Sequence, residues 1–244
     1  MTEHPWTRRI SGLAFWLALA AVLVAFAGMT LARFDIVGKL QGFSMFLYMV
    51  PIAGIAALIA VVALIMNWRA GWPAVRKAVL GLIIGAGAFG AATVAMSAAT
   101  EVPAIHDITT DLDTPPEFAE LSIPADNMRG VDGVEDWKAQ HREGYPDLDG
   151  ITVDQTVEQV ITRAAEIAED KGWDVAASDA ATGRFEAVSY ASYIKFEDIV
   201  VLRAVPTEDG KTRVDMRSVS RVGVSDLGEN AKRIEGFLAA LQAG

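Results

Sequence analysis

The sequence predicts two architectures in one chain. The first is an α-helical membrane region of three transmembrane helices. The second is a two-layer α+β domain with a four-stranded antiparallel sheet and helices on one face. Three observations predict this. Three long stretches carry no charged residue. The charge balance changes sign, from +5 over residues 1–100 to −15 over residues 101–244. The apolar pattern of the carboxyl-terminal part then runs in the order helix, four strands, helix.

The uncharged stretches are the first element to justify. About 20 apolar residues in a helix cross a hydrocarbon core of ~30 Å. Ile10 to Ala32 carries no charge, nor does the chain between Lys39 and Arg69 or from Ala78 to Thr100. The expected spans are about 10–32, 43–66 and 78–99, within an anchor covering 1–100. Arg8 and Arg9 precede the first span as in a signal peptide, but its apolar run outlasts the roughly 7–15 residues of such a segment. Pro51 and Gly54 lie inside the second span, where a kink is expected and tolerated.

The third span contains "GLIIGAGAFGAATVA", in which Gly85, Gly87 and Gly90 have the G-x-G-x-x-G spacing of a dinucleotide-binding turn. That turn needs a strand before it and an acid about 20 residues beyond it. No strand is expected there, since the flanks are uniformly apolar, and the first acid afterwards, Glu101, is too close for the ribose contact. No dinucleotide is expected at these glycines. Gly81, Gly85 and Ala88 or Ala92 instead line one helical face at small-xxx-small spacing, which admits a second helix at close range. Packing within the chain is favoured over dimerisation, because two other spans are available.

Orientation follows from Lys and Arg near the span ends. Arg8 and Arg9 precede the first span, and Arg69, Arg76 and Lys77 lie between the second and third. Only Arg33 and Lys39 lie between the first and second. After the third span seven acids, from Glu101 to Asp126, come before the next base, Arg129. The amino terminus is therefore expected in the cytoplasm and the carboxyl-terminal domain in the periplasm, with the lipid bilayer as the first partner. Trp68 and Trp72 suit an interfacial belt. No ionisable residue inside the spans marks a transport pathway. The acidic domain is a poor ligand for nucleic acid. The absence of cysteine removes both disulfides and thiol chemistry.

Residues 101–150 are expected to form an extended acidic strap with loops. "DTPPEF" and "GYPDLDG" are rich in turn formers, and "RGVDGVEDWKAQHREG" shows little apolar period. The soluble α+β domain is placed at 151–244. "TVDQ" is a capping box in which Thr152 caps and Gln155 reaches back, opening a helix over 153–171 that ends at Gly172. Strands follow at about 173–179, 184–193, 198–206 and 211–221. The last two form a bulged hairpin with Gly210 left-handed, in a register that sets Arg203 opposite Asp215 and Leu202 opposite Met216. Ser225 is expected to cap a final helix over 226–242.

The ending "RVDMRSVSRVGVSDLGENAKRIEGFL" resembles the family known as Domain of Unknown Function 1499. "PAIHDITTDLDTPPEF" is similar to the family's amino-terminal signature, and "YPDL" to the lead-in to its first helix. The resemblance covers about residues 103–241. It implies a compact domain, often membrane-attached, and supplies no activity and no catalytic residue.

Candidate chemistry is sparse. "IHDITTDLD" offers His106, Asp107 and Asp111 as an acid–base or metal-assisted set, with His141 joining His106 and Asp111 as metal ligands. Adjacent side chains of an extended segment point to opposite sides, which works against such a set. The alternative is a strap whose Thr and Asp side chains satisfy backbone groups. Arg217, Ser220, Arg221, Ser225 and Asn230 could gather an anion at the start of the last helix, but Asp226 already fills that field. Ser189, Ser192, Tyr190, Tyr193 and Lys195 lack the spacing of a nucleophile with its base, and no G-x-S-x-G elbow exists. No cofactor is expected. The reading is an inner-membrane protein with a periplasmic domain that binds an envelope protein or a lipid-linked component, through the sheet face opposite the helices or through the acidic strap. The alternative is a hydrolase acting at the membrane surface.

Overall fold

The computed structural model describes residues 4–97 and 102–243. The chain divides into two compact units, Met1–Ala98 and Ala99–Gly244. Each is described by itself.

The first unit is three helices: α1 (Pro5–Arg33), α2 (Lys39–Arg69) and α3 (Val75–Ser97). All three are long and apolar enough to cross a membrane. Their contact faces are built from small residues. Ala14, Ala18, Ala21 and Ala25 of α1 are buried, as are Ala53, Ala56, Ala60 and Ala63 of α2. The bulky side chains Leu23, Phe26, Leu58, Val62 and Ile83 point outward instead. Pro51 sits within a helix that continues unbroken on both sides of it.

Gly85, Gly87 and Gly90 lie in the interior of α3, with no strand before them. A Cβ on Gly85 would stand 2.9 Å from the Ala53 carbonyl oxygen and 3.0 Å from the Ala57 nitrogen. A Cβ on Gly81 would stand 2.9 Å from the Phe15 nitrogen. These two glycines let backbones approach, Gly81 against α1 and Gly85 against α2, whereas Gly87 and Gly90 face open space. Polar contacts also join the helices, and Lys39 Nζ of α2 donates to the Ala32 carbonyl of α1 (3.0 Å). Asn67 of α2 donates to Ser11 Oγ (2.9 Å) and the Ala63 carbonyl (2.8 Å), and its Oδ1 accepts from Ala74 N–H just before α3. All of its hydrogen-bonding groups are thus satisfied where water is excluded.

The second unit is an antiparallel sheet of six strands: β1 (Asp107–Thr109), β2 (Ile151–Val153), β3 (Asp174–Asp179), β4 (Arg184–Ala191), β5 (Phe196–Pro206) and β6 (Thr212–Ser220). The order is β1-β6-β5-β4-β3, with β2 also pairing β6. The four-stranded expectation is corrected by β1 and β2. Three residues are too few to show a period, so both were hidden in the strap and in the start of the expected first helix. The β5–β6 hairpin has the expected register, Leu202 opposite Met216 and Arg203 opposite Asp215, with Gly210 at φ 81° in its turn.

The helices are α4 (Val134–Gly144), α5 (Val157–Asp170) and α6 (Glu229–Gln242). α4 corrects the expectation of loop throughout 101–150. Only Trp137 and His141 of this helix are buried, one turn apart, too narrow a stripe to read as a period. The helix expected over 153–171 begins at Val157, because β2 takes residues 151–153. Its capping box is Thr156 with Gln159, not Thr152 with Gln155. The last helix starts three residues later than expected. Asp226, not Ser225, meets its free amides, accepting from Gly228 N–H (2.9 Å) and Asn230 N–H (2.8 Å).

One sheet face carries Phe185, Ala187, Val200, Leu202, Val214 and Met216, in one core with α5 and α6 residues such as Ile161, Ala164, Ile234 and Phe237. On the opposite face Ile199, Val201 and Val219 are buried as well. Arg203 Nη1 donates to the Thr114 carbonyl (2.8 Å), and Ala119, Glu120 and Leu121 donate their N–H groups to Glu186. The strap therefore runs across the face that was expected to be open for a partner.

Candidate functional site

The candidate residues lie on the strap, on α4, on β6 and on the start of α6. β1 sets their directions. Ile108 shares the buried core, while Asp107 and Thr109 alternate to the other side. There Asp107 meets Arg217, with Nε to Oδ1 at 2.8 Å and Nη2 to Oδ2 at 2.6 Å. This two-point ion pair is buried. Asn127 Nδ2 adds a third bond to Asp107 Oδ2 at 2.5 Å. The Asp107 carboxylate is thereby filled.

His106 lies on the other side of the strap. Its Nδ1 is 3.3 Å from the Val224 carbonyl oxygen and donates to it in the Nδ1–H form. Burial and the nearby Arg129 charge lower its pKa below the usual 6.5. Asp111 is turned elsewhere. It accepts from the Asp113 and Thr114 amides, the Thr114 hydroxyl and Arg203. Burial alone would raise its pKa, but the bonds from Thr114 and Arg203 outweigh that and bring it down to about 2. His106, Asp107 and Asp111 thus each serve a different neighbour.

His141 is 1% exposed. Its Nε2 accepts the Thr109 amide at 3.1 Å, and Trp137 Nε1, one turn earlier, donates to the Asp107 carbonyl at 2.8 Å. Both partners lie on the side of β1 that faces away from β6, so α4 closes the free edge of this strand with two side chains. Burial lowers the His141 pKa below 6.5. His106, Asp111 and His141 do not form a ligand set. Among the described residues no three His, Asp or Glu side chains come together as metal ligands do.

The suggested anion group is similarly engaged. Ser218 Oγ donates to Asn230 Oδ1, while Asn230 Nδ2 donates to the His106 carbonyl and Ser220 Oγ. Arg233 reaches the same cluster and pairs with Asp198 at 2.6 Å in the interior. Arg217 is held by Asp107, Arg221 by Glu197 at 3.3 Å, and Ser225 Oγ accepts the Leu227 amide. This network fixes β6 to α6 and to the strap.

Sequence reasoning missed four contributors. Glu186 is fully buried in β4, and its two oxygens gather three strap amides. An acid in the otherwise apolar alternation of "RFEAVSYA" was the available signal. Arg129 donates to the carbonyls of Gly223 (2.6 Å) and Ser220 (2.7 Å), and nothing in its surroundings in sequence marks it. Asp198 and Arg233 are 35 residues apart and meet only in the fold.

One open cleft borders these residues. It has a volume of about 530 Å³ and is lined by Thr110, Asp111, Asp113, Arg142, Asp149 and Arg213, among others. Its charges are mutually paired: Arg213 with Asp149 and Asp215, and Arg203 with Asp111 and Asp215. Such a wall can form hydrogen bonds with a partner, and within it the Thr110 hydroxyl donates to Asp215 Oδ1 at 3.2 Å. A family model described as "Protein of unknown function (DUF1499)" matches residues 107–241. No curated protein matches the chain.

Proposed function

The chain belongs to the DUF1499 family of proteins of unknown function, and from that premise we propose a multi-pass inner-membrane protein whose periplasmic α+β domain binds another component of the cell envelope. The three apolar helices, with small residues inside and bulky ones outside, support a bilayer as their solvent. The arginines before α1 and between α2 and α3 support a cytoplasmic amino terminus and a periplasmic carboxyl-terminal domain. The partner is a protein or a lipid-linked component, met at the cleft beside Asp113 and Arg142.

The single observation behind a binding role is that the candidate reactive groups are spent on structure. Asp107 holds Arg217, His141 closes β1, and Asp111 holds Thr114 and Arg203. A hydrolase working through His106, Asp107 and Asp111 would need at least two of them converging on one substrate.

Photo-crosslinking from Asp113 and Arg142 in living cells tests the binding role, and alkaline phosphatase fused after Gly244 tests the topology. The expected results are a discrete crosslinked envelope component and an active phosphatase. An inactive phosphatase would remove the periplasmic placement. Loss of function in a deletion strain carrying His106→Ala in a stably folded form would instead favour the hydrolase.

A further inference from the structure

One end of the helical unit collects the start of α1, the end of α2 and the start of α3. Asn67 gathers them, donating to Ser11 Oγ and accepting the Ala74 amide. Arg8 and Arg9 lie within one turn of Ser11, Arg69 follows Asn67 by two positions, and Arg76 and Lys77 follow Ala74 by two and three. Five bases from three helices therefore share this end, and all five are exposed. Nothing of opposite sign meets them within the unit. Among its described residues the one carboxylate is Asp35, which pairs with Lys39 at 2.8 Å. That pair lies beyond the far end of α1, whose Arg33 follows Arg9 by 24 positions, about 36 Å of helix. Glu3 falls outside the described residues and is a single acid against five bases.

Indole rings stand at the same end. Trp6, Trp68 and Trp72 are 65%, 67% and 49% exposed. Arg9 Cζ sits 5.3 Å from the centroid of the Trp6 ring, within cation–π range. Trp72 has φ 67°, a left-handed backbone that a bulky residue rarely adopts. Its N–H donates to the Asn67 carbonyl at 2.8 Å, so the residue that gathers the helix ends also holds this turn. Exposed indoles at the end of apolar helices suit the boundary between hydrocarbon and water. Cations without counter-charges repel one another, and an anion relieves them. At that boundary the available anion is the phosphodiester of a lipid headgroup.

We propose that this end of the helical unit binds anionic phospholipid, with Arg69, Arg76 and Lys77 holding the phosphate and Trp68 and Trp72 packing on the glycerol and upper acyl chain. The proposal rests on the three helices crossing the membrane.

The full-length protein is reconstituted in phosphatidylcholine brominated in its acyl chains, which quenches tryptophan in contact with it. Unbrominated phosphatidylglycerol or unbrominated phosphatidylcholine is then added in rising proportion, and the recovery of fluorescence is compared. Phosphatidylglycerol is expected to displace the quencher at least about fivefold more effectively, the effect of one base near an anionic surface. This preference is expected to fall toward unity in roughly 1 M salt, where the Debye length is about 3 Å. It is also expected to be lost in Arg69→Gln/Arg76→Gln/Lys77→Gln and kept in Arg33→Gln at the opposite end. The salt series needs no variant and so does not depend on how the triple variant folds. Equal displacement by the two lipids overturns the proposal alone, as does a preference that the triple variant keeps or that Arg33→Gln removes. An absence of quenching by the brominated lipid overturns the spanning reading, and the proposal with it.

Discussion

Asp107 shows why the strap's acids read as chemistry in the sequence and act as structure in the fold. Its carboxylate and the Arg217 guanidinium are removed from water together, so removing one partner leaves a buried charge unpaired. Asp107→Ala is expected to cost about 3–5 kcal/mol in chemical denaturation, and Asp107→Leu with Arg217→Met to recover most of it. The histidines carry a pH dependence. His106 and His141 both have pKa values depressed below 6.5, chiefly by burial. The unfolded chain therefore takes up protons before the folded one, and stability present above 6.5 is lost as pH falls through and below it. Melting followed by circular dichroism in detergent is expected to show a lower midpoint at about pH 5.5 than at about pH 7.5. The identity of these residues was legible in the sequence, but their partners were not. Asp107 meets Arg217 across 110 positions, and no local period encodes such a separation.

At the level of elements, Glu186 joins the strap to β4 through three amides. Glu186→Gln leaves donors of that set unmet, at about 1–3 kcal/mol for each orphaned group. Limited proteolysis is expected to open the 117–123 segment first in this variant, with strand content by circular dichroism retained. The glycines of α3 separate by what faces them. Gly85→Leu forces a side chain into the α2 backbone and is expected to cost about 1–3 kcal/mol. Gly87→Ala faces open space and is expected to gain up to about 1 kcal/mol through helix propensity. Thermal stability in detergent distinguishes the two. Long elements with a full period were readable: α1 to α3, the hairpin register, and most of α5 and α6. β1, β2 and α4 were not, because each is defined by a partner rather than by its own pattern. β1 and β2 exist because β6 offers Arg217–Val219 to one and Thr212–Val214 to the other. α4 is held by Trp137 and His141 on the back of β1.

Over the whole molecule the division into an apolar helical unit and an acidic sheet unit follows the charge balance of the sequence. The helical unit predicts that the protein stays with the membrane fraction through an alkaline carbonate wash and leaves it only in detergent. Release by carbonate would show a peripheral attachment. The sheet unit has a further property that follows from its margins. β1 is plugged by two α4 side chains, and β2 is only three residues long. Among the described strands, β3 is then the one outer strand long enough to recruit another. Two molecules joined there would use up each other's open ladder, so strand-to-strand growth would stop at a pair and a fibre would have nowhere to extend.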